Sequence, residues 1–395
     1  MTDFRKRYQY YYADIEKLLS FVVPSDASDY AVMVNETGSM PDVEKSFREA
    51  RQRVGEHGRL IVVFHNYLWE PLFVLLQRLR IKASPGTQNW LSPNDVKNLL
   101  YLADFEVVRS GRRMLCPIYV PFVSGMLNTL GRLPLINRLC VTQYLIARPI
   151  PKQAKELSVS IIVPARNERG NIEEIVRRTP DFGKKQEIIF VENNSTDGTW
   201  EEVQRVAALY RGKKEVVAIR YSATGKADAV RKGFAAARND LLMILDADMT
   251  VAPEDLPRFH RVAEDGKGDF INGSRLVYPM ERDAMRFLNT LGNKFFATLI
   301  SWLLDQSIKD TLCGTKVLLK TDYERIAAHR DYFGDFDRFG DFDLLFGAAK
   351  QNLKIIDLPI RYYARTYGDT KMKRFSNGWL FLRMCIFAAR KIKFT

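Results

Sequence analysis

From Ser158 onward the chain alternates short apolar runs with amphipathic stretches, and each apolar run ends in a polar turn. Few folds accept that grammar, because strands joined through helices lie parallel and a parallel sheet needs helices on both faces. The strands read as Val159 to Val163, Glu187 to Val191, Glu215 to Tyr221 and Leu241 to Leu245. Between them fall helices over Ile172 to Arg178, Thr199 to Tyr210 and Lys226 to Ala237. Ligands of open α/β sheets sit beyond the carboxyl ends of the strands, so the turns after these strands are expected to converge on one crevice.

The turn after the fourth strand is Asp246-Ala247-Asp248. Two carboxylates at a strand end suit a hard cation, and Mg²⁺ or Mn²⁺ is typically shared between one or two carboxylates and substrate phosphates. An isolated pair of this kind is more often a solvated loop; the apolar strand before it and the matching turns elsewhere favour the metal. The turn after the second strand, Glu192-Asn193-Asn194, offers groups for a base edge and ribose hydroxyls. In the following Ser195-Thr196-Asp197-Gly198, Thr196 or Asp197 reads as a helix cap. Lys226, in the first turn of the third helix, is a candidate for phosphate or base.

Together these stretches resemble family 2 glycosyltransferases of the Rossmann-like GT-A fold, and within them polyprenyl-phosphate hexosyltransferases. Val163-Pro164-Ala165-Arg166-Asn167-Glu168, Glu192 to Thr199, Gly225 to Gly233, Leu245 to Asp248, Asp310 to Lys316 and Asp341 to Leu345 carry the resemblance, which spans Ser158 to about Arg374. It implies that Pro164, Ala165, Arg166, Glu168, Glu192, Asn193, Lys226 and Asp246 bind a nucleoside-diphosphate sugar, and that Asp246 and Asp248 hold the metal. Asn193 stands where a second acid is often found, which leaves the base open. Asp341 or Asp343 would be the base for a hydroxyl acceptor, or helix-capping groups; for a lipid phosphate no base is needed. Arg361, Arg365 and Lys371 would grip acceptor phosphate. The implied reaction is an inverting, metal-dependent transfer of a hexose to a polyprenyl phosphate or glycan; the alternative is a non-catalytic nucleotide-sugar-binding or scaffold protein.

Upstream, strands over Tyr30 to Val34, Arg59 to Phe64, Phe105 to Arg109 and Val141 to Ala147 surround helices over Asp42 to Val54 and Ser92 to about Ala103. Asp29 to Val32, Gly58 to Val62, Leu91-Ser92-Pro93 and Ala103 to Val107 resemble the C-terminal half of class I S-adenosylmethionine-dependent methyltransferases. The glycine-rich turn that meets the cofactor there has no counterpart, since Phe21 to Ala27 runs into the next strand. No S-adenosylmethionine binding is expected. The expected domains are a methyltransferase-like segment (1–152), a glycosyltransferase domain (153–374) and a basic amphipathic helix (375–395), with the boundary in the proline-bounded Pro149 to Glu156.

A net charge of +13 favours anionic partners, including an anionic membrane surface. No basic stripe with interleaved aromatics points to nucleic acid, and none is expected as a partner. The four cysteines form no CxxC pair, which fits a reducing compartment. MTDFRKRYQYYY reads as no secretory signal and the longest apolar run, Phe295 to Leu304, is short of a membrane span. The expected place is the cytoplasm, with peripheral contact at the cytosolic membrane face through Met285 to Leu304 or the basic tail from Ser376 to Phe394.

Overall fold

The computed structural model describes residues 9–24, 29–79, 88–222, 224–278, 287–332, 340–365, 367 and 374–394. The chain forms two units. One is Met1–Pro151 with the short segments Leu304–Gln306 and Ala389–Thr395; the other is Lys152–Leu303 with Ser307–Ala388.

In the first unit, α1 (Gln9–Val22), β1 (Tyr30–Val34), α2 (Val43–Arg53), β2 (Arg59–His65), α3 (Glu70–Arg78), α4 (Pro93–Leu102), β3 (Phe105–Arg113), α5 (Val123–Leu130) and β4 (Thr142–Pro149) follow in order. The sheet runs β1-β2-β4-β3, with β1 and β2 parallel and β4 antiparallel to both neighbours. Phe47, Leu60, Val62, Val96, Leu100 and Phe105 fill its core. Local chemistry set several boundaries as read. Asp42 caps α2, and Ser92 and Asp95 form a capping box on α4 with Pro93 at its first position. β3 runs four residues past its expected end, because Ser110 to Arg113 go on pairing with Leu145 to Thr142 of β4; Arg109 meets Asp305 at 3.4 Å and Arg113 meets Asp14 at 3.0 Å.

The second unit holds β5 (Val159–Ala165), α6 (Ile172–Arg178), β6 (Gln186–Glu192), α7 (Thr199–Leu209), β7 (Glu215–Arg220), α8 (Lys226–Ala236), β8 (Leu241–Ile244), α9 (Leu256–Glu264), β9 (Phe270–Ser274), α10 (Phe287–Leu304), β10 (Lys316–Leu319), α11 (Lys320–Ala328), α12 (Asp341–Lys350), β11 (Ile355–Pro359) and α13 (Arg374–Ile392). Its seven-stranded sheet has the order β11-β9-β10-β8-β5-β6-β7, parallel except at β10. This is a mixed α/β fold with a mostly parallel sheet. β5 and β8 are buried nearly throughout, as strands covered on both faces must be.

β9 and β10 escaped the sequence reading. β9 interrupts its apolar run with the buried Asn272 and with Gly273, where a Cβ would lie 2.6 Å from Cys313 Sγ; β10 begins with a fully buried lysine, Lys316. α13 buries Phe381, Met384, Cys385 and Ala388, and Phe381 stacks on Phe342 at 4.8 Å. α10 buries Phe296, Ile300 and Leu303, so each helix has a core-facing side. No helix among the described residues is long and apolar enough to cross a membrane.

Candidate functional site

The carboxyl ends of β5, β6, β7 and β8 lie side by side, since β5 pairs in parallel with β6 and β8, and β6 with β7. The turns after β5 and β6 are laced together. The backbone N–H groups of Asn167, Glu168 and Arg169 donate to Ser195 Oγ, Thr199 Oγ1 and Asp197 Oδ2, and Thr196 N donates back to Asn167 Oδ1 at 2.8 Å. Asn167 and Asn194 take positive φ (53° and 49°), a conformation asparagine tolerates better than most side chains. The cap of α7 differs from expectation. Gly198, at φ 85°, is the N-cap residue, and Asp197 just before it accepts from the N–H and hydroxyl of Thr199.

Asp246 and Asp248 follow β8, and Met249, at φ 57°, turns the chain after them. Asp246 Oδ1 lies 2.5 Å from Lys226 Nζ. Burial opposes ionisation of Asp246, but Lys226, with Arg275 and Lys316 further off, holds its carboxyl below the usual range. Burial likewise opposes the charge on Lys226, and Asp246, Asp341 and Asp248 raise its pKa nonetheless. Gly314 closes this corner: a Cβ there would collide with Asp246 Oδ2 and lie 2.6 Å from Lys226 Nζ. Asp248 Oδ1 accepts from the N–H and hydroxyl of Thr250, while Oδ2 lies 2.5 Å from Arg365 Nη2. The other Arg365 nitrogen is 3.9 Å from Glu168 Oε1.

Glu192, fully buried at the end of β6, accepts from Ser195 N at 2.5 Å through Oε1. Among the described residues its Oε2 has no hydrogen-bond donor, although Arg220 Nε stands at ion-pair range, 3.5 Å away. Asn193 is buried and its N–H donates to Ala165 O. Pro164 and Ala165 form the last residues of β5, and Arg166 is exposed beside them.

The two candidate bases are already committed. Asp341 Oδ1 is 3.0 Å from the buried Lys316 Nζ, which also donates to Asn272 Oδ1 and Cys313 O. Asp343 Oδ2 is 3.2 Å from both Arg231 and Arg330. They occupy the first turn of α12, whose N-cap is Gly340 at φ 84°. Of the expected acceptor cations, Arg365 stands among the carboxylates, Arg361 is exposed, and Lys371 lies outside the described residues.

Sequence reasoning gave no role to Lys316, Arg275, Asp310 or Gly314, although two of them bound the Asp310 to Lys316 stretch. Asp310 accepts from Arg275 Nε and Nη2, at 2.7 and 2.9 Å, and from Asn293 Nδ2 and Leu312 N. Burial opposes ionisation, yet Arg275 and these donors bring Asp310 down to about 2.

A divalent cation fits this donor set only in part. Asp246 and Asp248 supply hard oxygens, and only glycine at 314 leaves room beside Asp246. Among the described residues, however, no cluster of three or more acidic, His or Cys side chains exists to hold an ion without help. The fit is to a cation shared with phosphate oxygens.

Residues 160–326 match the family model described as Glycosyl transferase family 2, and this part of the chain is a glycosyltransferase domain of that family. The chain is 28% identical over 221 residues to a dolichol-phosphate mannosyltransferase of Pyrococcus furiosus, covering 55% of this chain and 60% of that protein. It is 36% identical over 114 residues to the dolichol-phosphate mannosyltransferase of Saccharomyces cerevisiae, covering 28% of this chain and 42% of that one. The matches thus span less than two thirds of these relatives. Among solved structures, a mannosyltransferase of Pyrobaculum calidifontis in complex with GDP-Man and Mn²⁺ is 19% identical with a TM-score of 0.40, over 57% of this chain and 60% of that one.

Proposed function

We propose that the second unit transfers a hexose from a nucleoside diphosphate to a lipid phosphate of the polyprenyl class, with inversion at the anomeric carbon and with Mg²⁺ or Mn²⁺. The observation that carries this reading is the meeting of Asp246 and Asp248 with Lys226 and Arg365 at the carboxyl end of β8. A crevice with paired carboxylates and two cations can hold a diphosphate and its counter-ion together. A cation bound there would neutralise charge on the departing diphosphate.

The residues present divide the remaining work. Glu192, Asn193 and the laced Asn167 to Asp197 turns would receive the nucleoside, with Pro164, Ala165 and Arg166 as one wall and Glu168 beside Arg365. Lys226 would move from Asp246 toward the diphosphate. The acceptor oxygen attacks the anomeric carbon from the face opposite the leaving group; its new bond forms as the bond to the diphosphate breaks and that electron pair leaves with the phosphate.

A phosphate acceptor is favoured over a glycan hydroxyl by the state of Asp341 and Asp343. Each is held in an ion pair, so neither is free to turn to an acceptor hydroxyl as its proton acceptor. A phosphate oxygen is already anionic and needs none. The names of the dolichol-phosphate relatives point the same way. Arg365, Arg361 and Lys371 would hold that acceptor. The direct test is a thermal-shift panel of nucleotide sugars with Mn²⁺, followed by transfer assays with polyprenyl phosphate and with a glycan. A stabilising sugar nucleotide whose sugar reaches only the lipid supports the reading, and transfer only to a hydroxyl contradicts it.

For the first unit we propose a methyltransferase-like segment that binds no S-adenosylmethionine, bounded near residue 152 and serving as a scaffold. Its support is the strand-helix-strand order of β1, α2 and β2 followed by α4 and the β3–β4 pair. Equilibrium dialysis with S-adenosylmethionine tests it. A protein of this activity would work at the cytosolic face of a membrane, as a peripheral protein.

A further inference from the structure

Between Val107 and Lys155 the chain contains no aspartate or glutamate, yet it carries Arg112, Arg132 and Arg138 among apolar residues. Helix α5 in this stretch is built inside out. Ser124 is fully buried; its hydroxyl donates to Ile118 O at 2.6 Å and accepts from Val120 N at 2.7 Å. Asn128 accepts from Cys116 N and donates to Cys116 O and Tyr10 Oη. The polar side chains thus fasten the helix down, and the apolar ones face solvent: Phe122 is 95% exposed, Leu135 72% and Met126 58%. Phe122 and Leu135 also take positive φ, 63° and 73°, where bulky side chains are outliers. Backbone strain that projects two apolar tips outward calls for a functional reason.

The neighbouring element has the same character. Trp69 Nε1 donates to Leu139 O at 2.8 Å, and Asn66 Nδ2 donates to the carbonyls of Arg138 and Cys140. Just beyond Trp69, α3 has no buried residue and leaves Leu72 and Leu75 exposed. Contiguous exposed apolar surface of this kind marks an interaction site.

We propose that this face of the first unit, from Ile118 to Leu139 with α3 beside it, docks on an anionic lipid bilayer, the apolar tips entering the headgroup boundary and the arginines meeting lipid phosphates. Charge selects this occupant. A second copy, related by a two-fold axis, would set Arg78, Arg132 and Arg138 against their own counterparts, with Glu70 as the one carboxylate of the face to offset them. A surface of anionic headgroups satisfies the apolar and the basic groups at once. The inference does not rest on the transferase reading, since the docking surface shares no residue with the Asp246 crevice.

Flotation of the full chain with vesicles of phosphatidylcholine alone, or of phosphatidylcholine mixed with phosphatidylglycerol, tests it without any sugar donor. The wild type is expected to bind the anionic vesicles at least tenfold more strongly than the neutral ones. Phe122→Asp/Met126→Asp is expected to lose at least tenfold of that binding, and Arg138→Glu to weaken it with a reduced salt dependence; both are expected to keep the wild-type melting temperature. Trp379→Ser, on the exposed side of α13, is expected to bind as the wild type does. Failure of the wild type to bind either vesicle overturns the proposal. So does full binding by Phe122→Asp/Met126→Asp, or a wild-type dimer in sedimentation velocity that this variant dissolves while vesicle binding is absent.

Discussion

Arg365 Nη2 lies 2.5 Å from Asp248 Oδ2, so the side chain expected to grip an acceptor phosphate stands where a metal's charge would be needed. On the proposed reading, guanidinium and divalent cation would compete for one carboxylate. Removing the guanidinium is expected to tighten Mn²⁺ binding in the presence of a nucleoside diphosphate. Titration calorimetry of Arg365→Gln should show at least tenfold higher affinity than the wild type, about 1.4 kcal/mol. Equal affinities would mean that the two do not share Asp248.

Gly314 lies so close to the Asp246–Lys226 pair that no side chain fits. Gly314→Ala must push the two charges apart, at an overpacking cost of about 1–3 kcal/mol. Nucleoside-diphosphate affinity, followed by calorimetry, is expected to fall at least tenfold. Unchanged affinity would show that the pair is not part of the donor site.

Lys316 has no exposed surface, and its ammonium is 3.0 Å from Asp341 Oδ1. Lys316→Met removes the buried ammonium that Asp341 pairs with and is expected to cost about 3–5 kcal/mol in urea unfolding. Lys316→Met/Asp341→Asn should recover at least about 1 kcal/mol of that loss, the mark of a coupled pair. Strict additivity would separate the two residues energetically.

Asp310 titrates at about 2 in the folded protein, against an ordinary value of 3.8. A depressed carboxyl stabilises the fold above its unfolded pKa, and that contribution disappears as pH falls from about 4 through about 2, roughly 2 kcal/mol in all. Asp310→Asn is expected to be less stable at neutral pH, with Arg275 left unpaired, and to show a shallower loss across the acid range. An unchanged acid limb in urea midpoints would contradict the assignment.

What the sequence disclosed follows from how local each signal is. Ser92, Pro93 and Asp95 announce a helix start within four residues, and Leu241 to Asp248 announces a buried strand ending in acids. Pairings between distant segments leave no such mark. Nothing around Arg365 says that it reaches Asp248 rather than solvent, and nothing around Asp343 announces Arg231 and Arg330. β10 was missed because a lysine opens it; Lys316 becomes a core residue only once Asp341, Asn272 and Cys313 surround its ammonium. The exposed face around Phe122 was missed for the opposite reason: an apolar helix reads as core until the buried side proves to be Ser124 and Asn128.

On the proposed reading, the crevice at Asp246 and Asp248 moves a sugar from a nucleoside diphosphate to a lipid phosphate. Radiolabelled sugar can be followed from a panel of nucleotide donors into an organic phase containing polyprenyl phosphate, with Mg²⁺ or Mn²⁺ present. Label is expected in the lipid from at least one donor, with a loss of at least about a hundredfold in Asp248→Asn, or some 2.7 kcal/mol of transition-state stabilisation. Undiminished transfer by Asp248→Asn, or no transfer from any donor by the folded wild-type protein, would contradict that reading.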